Sequence, residues 1–356
     1  PKETLDFELK QNTIGNLKTF HHPCFTNHIL YADLIFDLPP IKESDLPYLQ
    51  LFVSLLPELG VADRDYRANL KYIHAYLGEF NASLRLYPQV GNPNLLQPAF
   101  GLKAKALSRN ADKLFSLFND TCLACRFDEV SRIKELILQV HTLEQNKLNK
   151  NALSYAVGLS LSSFSQSAFI GEKFSGLSFF SFLKNLVENL DERIEEVIEK
   201  LKALQKTLFH CDSPHLILSC DDAQYKSLAD QKFYGLTSLP SKQVNPWKAY
   251  KITPSIKQQG YEISSPVAFS AFGFKTTHLP SSEAPALSLA THLLENTYLH
   301  KKIREQGGAY GSGANYNPIT GLFYFYSYRD PHITSSYQAF NESIESLSKG
   351  NFSDQD

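Results

Sequence analysis

Two donors stand six positions apart in this chain, the guanidinium of Arg304 and the phenol of Tyr310, with Gly307 and Gly308 between them. Both groups donate hydrogen bonds, so the pair suits a carbonyl oxygen or a developing oxyanion. The paired glycines let the backbone pass close to another chain. The surrounding segment, residues 301–331 (KKIREQGGAYGSGANYNPITGLFYFYSYRDP), joins a cationic helix end, a glycine-dense turn and an aromatic strand. On residue types alone, an ordinary helix-to-strand turn carrying two surface side chains competes with this reading. GGAYGSG lacks the Lys-Ser/Thr ending of a phosphate loop and does not open a helix, which excludes nucleotide binding.

Other reactive residue types are sparse. Cys122 and Cys125 form a C-x-x-C, but a zinc site needs a second pair. The only candidates, His210, Cys211, His215 and Cys220, are irregularly spaced. The apolar residues Leu114, Phe115, Leu117 and Phe118 put the pair at the end of a helix, not in the strand-to-helix turn of a redox motif, so a structural role is expected. His21 and His22 are adjacent and diverge in a strand or loop. His292 and Glu295 share an apolar helix, where one His and one Glu are usually incidental.

The elements that would position these residues follow from hydrophobic periodicity. Residues 29–38 alternate, with Leu30, Ala32, Leu34, Phe36 and Leu38 on one face, which predicts a half-buried strand. A proline-bearing acidic connection follows, then an apolar helix over 46–59 with Asp45 as its cap and Pro47 in its first turn. Residues 267–275 read as another strand, again followed by a Pro/Ser/Glu loop and an apolar helix, so the chain opens the same pattern twice. Between them lie predicted strands at 82–90 and 99–107 and a helix from 128 past 148. A second long helix, 191–209, carries Ile194, Val197, Ile198, Leu201, Leu204 and Leu208 on one stripe, and a short strand follows in HLILS. The fold class is therefore α+β, with two homologous domains, each a mostly antiparallel sheet covered by helices. The expected boundaries are a complete domain over 1–237, a linker over 238–247 around Pro240 and Pro246, and a truncated second copy over 248–356.

Composition bounds the function. At 356 residues the chain exceeds one ordinary core. A net charge of -2 gives no electrostatic footprint for nucleic acid or an anionic membrane, and no apolar run is long enough to span a bilayer. Five cysteines, an odd and sparse set, argue for a reducing compartment; the cytoplasm is the default, an organelle if a targeting segment precedes Pro1. There is no methionine, and the terminal residues Asn351 to Asp356 look like a helix cap with no helix after it. Both imply that the natural polypeptide is longer.

Segment 301–331 resembles the fourth domain of the pitrilysin/insulinase zinc metallopeptidases, in their presequence protease and falcilysin branch. The resemblance to the third and fourth domains covers most of the chain, is specific from Arg304 to Pro331 and is diffuse before Trp247. It implies four similar α+β domains paired into two halves that close around unstructured peptides. Arg304 and Tyr310 would bind the substrate, with Gly307 and Gly308 allowing close approach. The family's zinc motif, H-x-x-E-H, does not occur here. By repeat position the ligand and base positions fall on Leu51, Ser54 and Leu55, none a zinc donor. Zinc and the general base are therefore expected from an N-terminal half of the same polypeptide, this chain alone being inactive. The alternative is a non-catalytic scaffold subunit of the same fold family.

Overall fold

The computed structural model describes residues 8–89, 91–209, 214–243, 245–253 and 258–350. His210, Cys211, Val90, Val244 and the expected terminal cap over 351–356 lie outside the described residues. The described chain forms two compact units, and neither is continuous in sequence. One is drawn from 8–87, 97–140 and 185–248, the other from 88–96, 141–184 and 249–350. Each unit thus gathers segments that are far apart in sequence.

The first unit holds a six-stranded sheet in the order β1-β2-β6-β3-β5-β4. The strands are β1 Lys10–Ile14, β2 Leu17–Pro23, β3 Ile29–Asp37, β4 Leu77–Gln89, β5 Asn92–Leu107 and β6 His215–Cys220. The β2–β6 pair is parallel, whereas β1–β2, β3–β5 and β3–β6 are antiparallel. Alternation sets the register: Leu34 lies between Leu216 and Leu102, and Ala32 between Leu218 and Ala104, all buried. The opposite face carries Asp33, Lys103 and Lys105, with Arg85 3.5 Å from Asp33 and Lys105 3.2 Å from Glu79. Over the apolar face pack α1 Leu46–Leu55, α3 Ala111–Leu123 and α8 Leu190–Leu208; between α1 and α3 the chain adds α2 Tyr66–Tyr76, and α4 Val130–Lys150 follows α3. A short helix, α9 Asp222–Asp230, follows β6. Phe36 and Phe100 both meet Phe209 edge-on at 5.3 Å.

Asp45 departs from the expected role. It precedes α1, but its carboxylate makes no capping bond and instead accepts from Lys200 Nζ at 2.7 Å on α8. An ion pair between the packed helices outcompetes the local cap. Asp65 does cap α2, accepting from the Ala68 N–H at 2.8 Å.

The second unit holds a three-stranded antiparallel sheet, β7-β9-β8, made of β7 Ala268–Lys275, β8 Gly311–Asn317 and β9 Leu322–Asp330. Strands β3, β5 and β4 have the same order and the same antiparallel β3–β5 pairing, with helices after the first and third strands, so the α+β unit occurs twice. On one face, Phe323 and Phe325 pack with Leu294, Leu299 and Ile303 from the helix before β8 and with Phe340 from α11 Ile333–Ser348. The other face carries Tyr324, Tyr326 and Tyr328. Helices α5 Ala152–Leu161, α6 Gln166–Ser175 and α7 Leu177–Glu188 are not anticipated from sequence, and α5 packs on β7. Gly273 is required there: a Cβ would stand 2.6 Å from Leu161 Cδ2 and 2.9 Å from Ser160 Oγ. Gln166 holds the Tyr250 backbone from both sides, accepting its N–H at 2.9 Å and donating to its carbonyl at 2.7 Å.

Candidate substrate-binding site

The helix before the glycine turn is α10 Ala284–Leu293, continued as a π-helical segment over Leu294–Gln306. π-Helical turns are rare and concentrate at functional sites. Its buried residues, Leu294, Leu299 and Ile303, face the sheet, and Ser312 Oγ on β8 donates to the Leu299 carbonyl at 3.1 Å. Arg304 therefore projects outward from the last turn and is exposed. Arginine can only donate, so its Nη1 contact with His300 Nε2 at 3.3 Å makes that nitrogen the acceptor. The proton of a neutral His300 then sits on Nδ1, 3.4 Å from Glu305 Oε1. His300 is thus a support for Arg304 that residue type alone does not reveal.

The two glycines end the helix for different reasons. Gly308 has φ +76, the left-handed conformation that closes a helix, and its N–H donates to the Arg304 carbonyl at 3.0 Å while Ala309 donates to Ile303 at 3.1 Å. A Cβ at Gly308 would meet nothing closer than Pro331 Cγ at 3.8 Å. Only backbone strain opposes Gly308→Ala, which should lower stability by about 1–2 kcal/mol in urea unfolding, with Gly308→Asn costing less. Gly307 has ordinary φ, but a Cβ there would stand 2.6 Å from the Ile303 carbonyl oxygen. Its small size serves the helix end itself.

Tyr310 follows directly. Its N–H is shared between the carbonyls of Tyr328 at 3.1 Å and Arg329 at 3.3 Å, which locks the backbone to the end of β9. Its side chain is 67% exposed. The ring meets Tyr328 edge-on at 5.9 Å, and the Arg329 guanidinium carbon lies 6.0 Å above it. Further along that face, Tyr326 places its hydroxyl 2.8 Å from where a Gly313 Cβ would be, and burial, with Glu295 nearby, raises its phenol above the usual range. At the end of β9, Asp330 is 1% exposed and accepts from the His332 N–H at 2.8 Å and Ser336 Oγ at 2.5 Å, fastening α11 to the strand. Arg329, Tyr328 and Asp330 lie inside the segment singled out from sequence, but the strand register is needed to give them roles.

The remaining reactive residues are structural. Among the described residues Cys24, Cys122, Cys125 and Cys220 form no disulfide, and burial pushes the Cys125 thiol up, away from the reactive thiolate. His21 is buried, stacked on Tyr225 at 4.2 Å, with Nε2 2.9 Å from the Cys220 carbonyl oxygen. His22 points elsewhere, to the Glu8 carbonyl at 2.9 Å. His292 is exposed. Leu51 and Leu55 are fully buried in α1, and Ser54 Oγ is bonded to the Gln50 carbonyl at 3.0 Å. These side chains do not fit a zinc ion. Among the described residues, no group of three His, Cys, Asp or Glu could hold a metal, and no helix is long and apolar enough to cross a membrane.

Comparison with known proteins agrees with this architecture. A family model for the region associated with subfamily C of the M16 peptidases matches residues 1–186, and one described as the PreP C-terminal domain matches 270–356. The chain is 24% identical over 355 residues to the mitochondrial presequence protease of Danio rerio, covering 93% of the chain and 34% of that protein. It is 26% identical over 351 residues to the corresponding protein of Saccharomyces cerevisiae, covering 94% and 34%. The chain thus spans about a third of the length of these relatives. Among solved structures, a conserved protein from Enterococcus faecalis V583 superposes with a TM-score of 0.68 at 10% identity, covering 98% of this chain and 81% of that one. A peptidase M16 inactive domain from Pseudomonas fluorescens gives 0.61 at 16% identity with the same coverage; at such identities these likenesses speak for the fold alone. With the first family model spanning more than half of the sequence and the second matching the segment of Arg304 and Tyr310, the chain belongs to the pitrilysin-type M16 peptidases, in the C-terminal half of their subfamily C branch.

Proposed function

We propose that this chain is the C-terminal half of a zinc metalloendopeptidase that degrades unstructured peptides in a closed chamber, with 1–237 and 248–356 corresponding to the third and fourth domains. Zinc, when bound by the N-terminal half, supplies Lewis-acid chemistry and an activated water. The residues of this chain do something else. Tyr310 and Arg304 donate hydrogen bonds to the peptide carbonyl region, fixing register and stabilising charge that develops on oxygen. The observation that carries this reading is the turn itself. A left-handed Gly308 and a locked Tyr310 backbone hold two exposed donors on a packed helix and strand, although their exposure contributes nothing to the core.

The test is cleavage of an unstructured peptide by the complete natural polypeptide, with and without a metal chelator, read by mass spectrometry. Cutting that stops with chelator and returns with zinc is the expected result, while residues 1–356 alone neither cut nor retain stoichiometric zinc. No cutting by a folded, zinc-supplied protein would instead favour the scaffold reading.

A further inference from the structure

Along β9 the side chains alternate strictly: Phe323, Phe325 and Ser327 are buried, and Tyr324, Tyr326 and Tyr328 face the other way. Continued alternation would send residue 329 into the core, where a guanidinium would be buried without a partner. The strand avoids this by a bulge. Opposite β7, Tyr328 pairs with Phe269 and Asp330 with Ala268, so Arg329 is the extra residue. Its φ of 50 is left-handed, a conformation that residues other than glycine avoid. Bulges of this kind re-aim a side chain, and they cluster beside active sites.

The re-aimed guanidinium goes to the tyrosines. Its central carbon lies 5.5 Å from the Tyr328 ring and 6.0 Å from the Tyr310 ring. Among the described residues it has no carboxylate partner, and the Tyr310 hydroxyl has no hydrogen-bond partner. The orientation of the Tyr310 ring is therefore set by Tyr328 at its edge and Arg329 over its face. We propose that Arg329 is a positioning residue for Tyr310, its bulge holding a cation over the ring so that the phenol is presented to the peptide in one orientation. This rests on Tyr310 contacting substrate.

The test uses the full-length peptidase and a peptide substrate, comparing Arg329→Asn, Arg329→Lys and Tyr310→Ala. Asparagine accepts the left-handed backbone but removes the cation, so a residue that merely completes the bulge is replaced without loss. The expected result is a drop in kcat/KM of about two- to fivefold for Arg329→Asn, with an unchanged melting temperature. Arg329→Lys, which keeps a cation, recovers most of it. In the Tyr310→Ala background Arg329→Asn has no further effect, because the ring it acts on is gone. Wild-type rates for Arg329→Asn alongside an impaired Tyr310→Ala overturn the positioning role and leave the site reading intact. An undiminished Arg329→Asn loss in the Tyr310→Ala background also overturns it. Wild-type rates for Tyr310→Ala itself would remove the underlying site.

Discussion

Replacing Tyr310 with phenylalanine in the full-length protein is expected to lower peptide cleavage by about a hundredfold, the typical effect of removing one oxyanion donor, and Arg304→Ala by a similar factor. The reason is that neither group contributes much else. Tyr310 is largely exposed and its hydroxyl bonds nothing within the described chain, so losing one oxygen should leave folding unchanged. Arg304 gives up only a 3.3 Å contact to His300 on an exposed helix turn. Separate measurement of kcat and KM distinguishes two roles. A loss confined to kcat means that the donors act on the developing oxyanion. A loss confined to KM means that they grip the peptide equally before and during reaction. Near wild-type cleavage by both variants would show that the donors face something other than substrate.

Phe325→Ala is expected to cost about 3–5 kcal/mol, the range for truncating a fully buried phenylalanine. Phe325 is 0% exposed on the central strand of the β7-β9-β8 sheet. It stacks on Phe340 of α11 at 5.3 Å, meets Phe323 at 5.3 Å and lies 6.2 Å from Phe274 of β7. The cavity would therefore open at the point where the sheet and α11 meet. Urea unfolding should show an earlier transition, with Phe325→Leu intermediate because it leaves a smaller void. Since β9 also carries the carbonyls that hold the Tyr310 N–H, the same variant should weaken cleavage. Full stability in Phe325→Ala would mean that this unit relaxes to fill the void.

Most of the framework is legible in the sequence because it depends on local pattern. The alternation of β3 and the stripe of α8 fall where periodicity places them, and all six stripe residues of α8 are buried. β4 and β5 run longer than the alternating cores that mark them, reaching back to Leu77 and Asn92. Helices α5 and α6 are hard to see because Ser, Gly and apolar residues are mixed through 152–175 without a clean polar face, whereas α7 carries a readable stripe, Phe179, Leu183 and Leu186, all buried. The cap of α6 becomes readable only in the fold, with Ser165 Oγ accepting from the Ala168 N–H at 3.1 Å. Asp45 misleads because its true partner, Lys200, is remote in sequence. At the site, Arg304 and Tyr310 stand out by type and spacing. Arg329 does not, since a bulge is a property of two paired strands and leaves no mark on one of them.

The interleaving of the two units has a consequence for how the protein is made. Leu161 and Ser160 wait for Gly273, which leaves the ribosome more than a hundred residues later. At ordinary synthesis rates that is an interval of about 5–20 s. The first sheet likewise lacks its inner strand β6, which joins β2 to β3, until residue 220 is translated. A nascent chain of this design therefore leaves the Ser160–Leu161 face of α5 without its β7 partner for seconds.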